Sequence, residues 1–309
     1  MIDIVGKRYW FFGVSLLVII PGMLALILWG LPLGIDFSGG SLLELRFPSG
    51  GTLPSTETLV GLYTDAGVAD ATVQSVGTDG LLIRSKTMED AVKGQIVARL
   101  TERTGAEVVV QRFESVGPAV GAEVATRAGM AVLIAALGIM LYISYAFRRV
   151  EHAVRYGVAA IMAMLHDVLV VIGVEAILGH FLGWEADSLF LTALLTVIGF
   201  SVHDTIVVFD RIRENRRLHR RLSYETLVNH SIVQTLDRSI NTQLTVMFTL
   251  LALLLFGGAT THRFVTILLI GVFSGTYSSI FNAAQILVVW ENQEWRNWFR
   301  GRRASTATS

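Results

Sequence analysis

Six apolar stretches of about 20 residues each, enough to cross a bilayer as helix, recur along this chain of 309 residues. They cover approximately residues 9–29, 124–147, 154–178, 188–209, 235–256 and 264–290. A hydrocarbon layer satisfies no backbone amide, so each stretch must close its own hydrogen bonds as a helix. The composition agrees, with 52% hydrophobic and 16% charged residues, against roughly 25% charged in soluble chains. It excludes disorder and an average soluble enzyme. The 25 basic and 25 acidic residues cancel, so bulk charge does not point to a nucleic acid. With no cysteine there is no disulfide, thiolate metal site or thiol nucleophile.

Orientation follows from Lys and Arg. Lys7 and Arg8 precede span 1, Arg148, Arg149 and Arg155 lie between spans 2 and 3, Arg211 to Arg221 between spans 4 and 5, and Arg296 to Arg303 after span 6. These segments alternate, which places both termini in the cytoplasm. Span 1 is too long for a signal-peptide core and lacks a clear cleavage site, so it reads as an uncleaved anchor. Trp10, Trp29, Trp184 and Trp290 fall near span ends, where an amphipathic ring is stable. Residues 293–309 form a basic tail with Trp295 and Trp298, expected to lie on the membrane and bind anionic lipid.

The domain order is an N-terminal segment with span 1 (1–30), an extracytoplasmic domain (31–120), spans 2–6 (121–292) and the tail (293–309). In the domain, residues 41–47 alternate apolar and polar, Ser55 is placed to cap a helix ending at Gly67, Gly77 to Gly80 read as a hairpin turn, and Thr87 is placed to cap a helix ending at Gly105. With strand-like residues 107–113 the order is βαββαβ, a ferredoxin-like sandwich. The fold class expected is therefore a six-helix membrane bundle carrying one α+β domain. The domain shows no catalytic constellation, and its acidic residues read as a solvated face.

Ionisable groups at bilayer depth cost about 2.5–3.5 kcal/mol each on insertion scales. Asp204 lies in span 4, seven residues before Arg211, roughly 10 Å below the cytoplasmic edge. Arg238 lies at similar depth in span 5, so an Asp204–Arg238 pair is plausible. A carboxylate exchanging a proton beside a fixed cation is the usual part of a proton relay. Ser201 shares the Asp204 face, and Arg238, Thr242, Thr245 and Thr249 share one on span 5. Ser274, Ser278 and Gln285 share one on span 6, with Asn282 nearby. These faces are expected to turn inward. His166-Asp167 repeats His203-Asp204, yet adjacent helical residues point about 100° apart, which disfavours a metal site. Asp167 reads as a structural contact or relay support, and Glu175 as reaching water near the outer end of span 3. Helix packing is the competing explanation for the Ser and Thr stripe.

Four motifs resemble the SecF family of the bacterial Sec protein-export machinery: Gly34-Ile35-Asp36-Phe37-Ser38-Gly39-Gly40, Val116-Gly117-Pro118-Ala119-Val120-Gly121, the run from Gly199 to Asn215, and Gln234 to Thr242. Each stands at a span boundary in the family's order. The resemblance implies a partner, SecD, a pseudo-symmetric unit of twelve spans, and kinship with resistance–nodulation–division exporters. It implies work with the SecYEG channel on preproteins driven by SecA, in the bacterial inner membrane, with YajC or YidC as further candidate partners. It implies a non-enzymatic role that takes protons as coupling ion and needs no cofactor, with Asp204 and Arg238 as relay residues. His203 stands where the motif commonly has Asn, and Asp237 flanks Arg238 and competes for its guanidinium. Gly34, Asp36, Phe37, Gly39 and Gly40 read as a hinge, or as a fixed tight turn. The alternatives are a small-molecule exporter of the related class and a purely structural partner of SecD.

Overall fold

The computed structural model describes residues 2–48, 53–150 and 152–296. The chain divides into two compact units, Leu33–Met130 and the remainder. In sequence order the main elements are α1 (Arg8–Trp29), α2 (Ile35–Ser38), β1 (Gly40–Arg46), α3 (Thr56–Asp65), β2 (Thr72–Val76), β3 (Gly80–Ser85), α4 (Asp90–Thr104), β4 (Val109–Val116), α5 (Pro118–Ala146), α6 (Ala153–Leu182), α7 (Ser188–Leu218), α8 (Tyr224–Phe256), α9 (Ala259–Ser278) and α10 (Ala284–Glu291). A π-helical turn, Ser279–Ala283, joins α9 to α10. Six helical stretches among the described residues are long and apolar enough to cross a membrane.

The helices outrun the apolar stretches. α7 continues to Leu218 because its polar end supports itself with i,i+3 ion pairs, Arg211 to Glu214 and Arg213 to Asp210. Ser223 then caps α8 by accepting from the Thr226 amide at 3.3 Å. The core lies between α6, α7, α9 and α10, where Ala159, Ala160, Ala163, Val197, Phe209, Ile212 and Val288 are buried. Small residues let the backbones approach without lipid between them. α1 meets α6 at Gly22 and Gly173, and a Cβ on either would stand 2.7 Å from the other's Cα. Gly173→Val is expected to part these helices and lower stability by about 1–3 kcal/mol, the usual cost of overpacking, read by detergent-induced unfolding.

The π-helical turn sets the face of the last span. Its wider turn changes the phase of the helix, and Ser274, Ser278, Ser279, Asn282 and Gln285 are all buried. The inward polar face expected on this span is present.

The smaller unit folds as strand, helix, two strands, helix, strand, with an antiparallel sheet in the order β2-β3-β1-β4. The register sets Leu43 opposite Ile83 on one side and Phe113 on the other. Leu59, Leu62 and Tyr63 of α3 and Ile96 and Leu100 of α4 complete the core. Ser55 caps α3 as expected, accepting from the Thr58 amide at 3.3 Å, and Gly105 ends α4 in the left-handed conformation. Thr87 does not cap α4. The helix starts at Asp90, and the Thr87 hydroxyl donates to the Val116 carbonyl at 3.3 Å.

Two of the signature motifs interlock in this unit. Gly39 and Gly40 have φ of +74° and +124°, which disfavour any side chain. A Cβ on Gly39 would come within 2.7 Å of Pro118 Cα, and one on Gly121 within 2.7 Å of Gly39 N. Gly34 caps α2, whose four residues include Asp36 and Phe37. Arg300, Arg302, Arg303 and Trp298 of the expected membrane-surface tail lie outside the described residues.

Candidate functional site: the buried carboxylates of the bundle

Asp204 is 2% exposed, on the α7 face that also buries Ser201 and Thr205. Its partner is Gln243 of α8, whose Nε2 donates to Oδ2 at 2.5 Å. The direct Asp204–Arg238 pair expected from the sequence is not made. Register explains this. Asn215 Nδ2 donates to Ser231 Oγ at 2.9 Å and to Gln234 Oε1 at 2.8 Å, which sets α8 antiparallel to α7 with Gln243 opposite Asp204. Arg238 stands five residues from Gln243, about 140° around the helix at 100° per residue. Its side chain lies on the exposed face, and its guanidinium makes no hydrogen bond or ion pair with the described residues. It reaches Asp204 only as a charge acting through space, as does His203.

The polar line on span 5 therefore differs from the inward face expected. Asp237, Arg238, Asn241, Thr242, Thr245 and Thr249 are exposed, whereas Ser231, Thr235, Ser239 and Gln243 are buried. The outward threonines need no neighbour. Thr242, Thr245 and Thr249 donate to the carbonyls of Arg238, Asn241 and Thr245 at 2.8–2.9 Å, the back-bonding open to hydroxyls in a helix. His203 is also exposed, so it points away from the bundle that receives Asp204.

Within the described spans the most fully partnered carboxylate is Asp167, which the sequence ranked below Asp204. It is fully buried. Oδ1 accepts from Ser274 at 2.7 Å and is 2.9 Å from His166 Nδ1. Oδ2 accepts from Ser201 at 2.5 Å and Ser278 at 2.6 Å. One residue thus joins α6 to α7 and α9. Ser201 lies one turn from Asp204, so the anchored carboxylate positions the helix that carries it. Ser274 and Ser278 at i,i+4 were the legible signal for such an acceptor. Gln243 carried no signal beyond being an amide inside an apolar run.

Glu175 also departs from expectation. It is 2% exposed, and its Oε2 has no hydrogen-bond partner. Beyond it the segment after α6 folds back, with the Ala186 amide donating to the Pro32 carbonyl at 2.8 Å.

The opposite end of the bundle is fastened by polar contacts. Asn229 Oδ1 accepts from the amides of Ile4 and Val5 at 2.8 and 3.1 Å. Arg8 bridges Glu225 at 3.1 Å and Glu294 at 2.6 Å. Burial alone would raise the Glu294 carboxyl, but hydrogen bonds from Arg8, Tyr9 and Asn292 hold it below the usual carboxylate value.

Comparison with known proteins identifies relatives of this arrangement. Residues 96–293 match the family described as protein export membrane protein SecD/SecF, C-terminal, and residues 30–47 match the SecD/SecF GG motif. The chain is 57% identical to protein translocase subunit SecF of Anaerolinea thermophila, over 99% of this chain and all of that one. It is 50% identical to SecF of Thermobaculum terrenum, over the full length of both. Among solved structures it is similar to SecDF of Thermus thermophilus, a translocon-associated membrane protein, with TM-score 0.80 and 34% identity, over 94% of this chain and 39% of that chain. A super-membrane-facing form of SecDF matches with TM-score 0.68 and 33% identity, over 96% of this chain and 39% of that one.

Proposed function

Since this chain belongs to the SecF family of protein translocase subunits, we propose that it pairs with a SecD half and uses the proton-motive force to assist preprotein export. The solved SecDF chain is more than twice as long as the part matched here, which supports pairing with a SecD half. One observation carries the reading. α8 exposes Asp237, Arg238, Asn241 and Thr242 within a membrane-crossing helix, next to the buried Asp204. A guanidinium facing lipid at that depth costs about 2.5–3.5 kcal/mol or more. A polar helix of the SecD half against α8 removes that cost and places Arg238 and Asp204 at the joint between halves. Asp204 is the proton-exchanging group, Arg238 the fixed cation, Gln243 the group that orients Asp204, and Asp167 the anchor behind it.

Protons are the coupling ion, and no cofactor is called on. Both termini lie in the cytoplasm, because the arginine-rich ends of the spans gather on one side, and the sheet-bearing domain, residues 31–120, lies outside. Its βαββαβ order and antiparallel sheet support the ferredoxin-like type. The Gly34 to Gly40 segment serves as its hinge or fixed pivot.

The test is Arg238→Gln in the SecD-partnered complex in sealed vesicles. The complex should still assemble and lose the part of preprotein export that depends on the proton gradient. Full gradient-dependent export by Arg238→Gln together with Asp204→Asn would leave only a scaffold role.

A further inference from the structure

Glu175 has no place in the relay drawn above. It sits on α6 eight residues beyond Asp167, about 12 Å along the axis, and about 10 Å short of the end at Leu182. The i+4 and i+8 spacing puts Asp167, Val171 and Glu175 on one face, and all three are buried. The Oε2 atom of Glu175 is shut from solvent without a hydrogen bond. The neighbouring elements offer little compensation. α1 presents Gly22 and Ala25, both buried, near the Gly22–Gly173 contact. The charged groups that act on Glu175 are Asp187, before α7, and Arg263, on α9. Asp187 repels an anion there and is committed to the Phe190 amide at 2.8 Å. The Arg263 guanidinium stands over the Trp184 ring, 5.9 Å from its centroid. A buried carboxyl oxygen left without a hydrogen bond inside a span is costly, which marks the group as a candidate for function.

An apolar layer separates this group from the anchored carboxylate. The Ser201–Asp167 bond sets the antiparallel register of α6 and α7, so Ala193 stands level with Glu175 and Val197 with Val171. Ala193, Leu194, Val197 and Val171 are buried, and Gly271 of α9 closes on Val197. The layer separates Glu175 from Asp167, and the Leu182 end of α6, about 10 Å away, is the nearer edge of the bundle.

We propose that Glu175 is the proton-entry carboxylate at the extracytoplasmic end of the bundle. It takes a proton from outside water onto a carboxylate oxygen and becomes the neutral acid. It returns to the anion when the apolar layer opens in the working cycle and the proton passes inward to the Asp204 carboxylate. This inference rests on the proton-driven reading and adds to it a second titrating site.

The experiment uses the SecD-partnered complex in vesicles, with outside pH varied and inside pH fixed. Glu175→Gln should lower gradient-dependent export about tenfold, at or below the low end of what a placed proton-transferring side chain contributes, and flatten its dependence on outside pH. Glu175→Asp should restore that dependence. Infrared difference spectra of the wild-type complex should show a carboxylic acid C=O band that follows outside pH and is missing in Glu175→Gln. Wild-type rate and pH dependence in Glu175→Gln, with Asp204→Asn inactive, would overturn the entry site and leave the relay standing. Wild-type export by Asp204→Asn would instead defeat the relay. Loss of stability in Glu175→Gln and Glu175→Leu with an unmoved pH profile would make Glu175 structural and overturn the proposal.

Discussion

Asp204→Asn is expected to leave a folded, assembled protein that has lost gradient-dependent export. Asn keeps the size of the side chain and an oxygen that accepts from Gln243 Nε2, the bond that holds Asp204 in place. The lost property is exchange of a proton. Each proton crossing 100 mV releases about 2.3 kcal/mol, and without a group that binds and releases it near the middle of the bundle that energy is not coupled to movement. A loss on the order of 10²-fold in the gradient-driven rate follows if proton transfer limits the cycle. Thermal stability should change little, because burying a neutral amide costs less than burying an anion. Measuring rate and melting temperature on the same complex separates the two effects. A fall in both together would place Asp204 among the packing residues.

Asp167→Ala is expected to have the largest effect on stability. It strips this acceptor from Ser201, Ser274 and Ser278 in one step and leaves three buried hydroxyls, of which Ser278 keeps a second acceptor in the Gly275 carbonyl at 3.2 Å. Orphaned buried hydroxyls cost about 1–3 kcal/mol each in proteins, while hydrogen bonds between membrane helices average about 0.6 kcal/mol. The total is then roughly 3–5 kcal/mol, with α7 and α9 loosened from α6. Asp167→Asn retains an oxygen acceptor, and a serine hydroxyl can turn to accept from its amide, so it should recover more than half the loss. The check is unfolding free energy in micelles or bilayers for both variants. Equal stability of the Ala variant and wild type would show that the serines find other partners.

The sequence disclosed this molecule unevenly, for physical reasons. The six spans, the strand and helix order of the smaller unit and the Ser55 and Gly105 caps are local or periodic properties, and they were legible. The partner of Asp204 was not. It depends on the rotation of α8, which the Asn215 contacts with Ser231 and Gln234 set, and a shift of five residues separates Gln243 from Arg238. The inward stripe was assigned to the wrong face of span 5 because threonines that bond their own helix carry no information about which side they face. The weight of Asp167 needed three helices at once, since its donors are 34 to 111 residues away. Glu175 looked close to water because its position near the end of span 3 does not announce the packing that buries it.

The contact between Gly39 and Pro118 bears on how such a chain is assembled in evolution and during synthesis. Gly39, just before β1, touches Pro118, just after β4, so the sheet between them is an insertion with closed ends. Insertions of that kind impose little loop-closure cost on their host. They are also the kind tolerated in folded proteins, because the host chain needs only a short bridge across the gap. The segment between the first two spans can therefore form its sheet as soon as it emerges, without waiting for the remaining four spans, and the bundle can close without waiting for it.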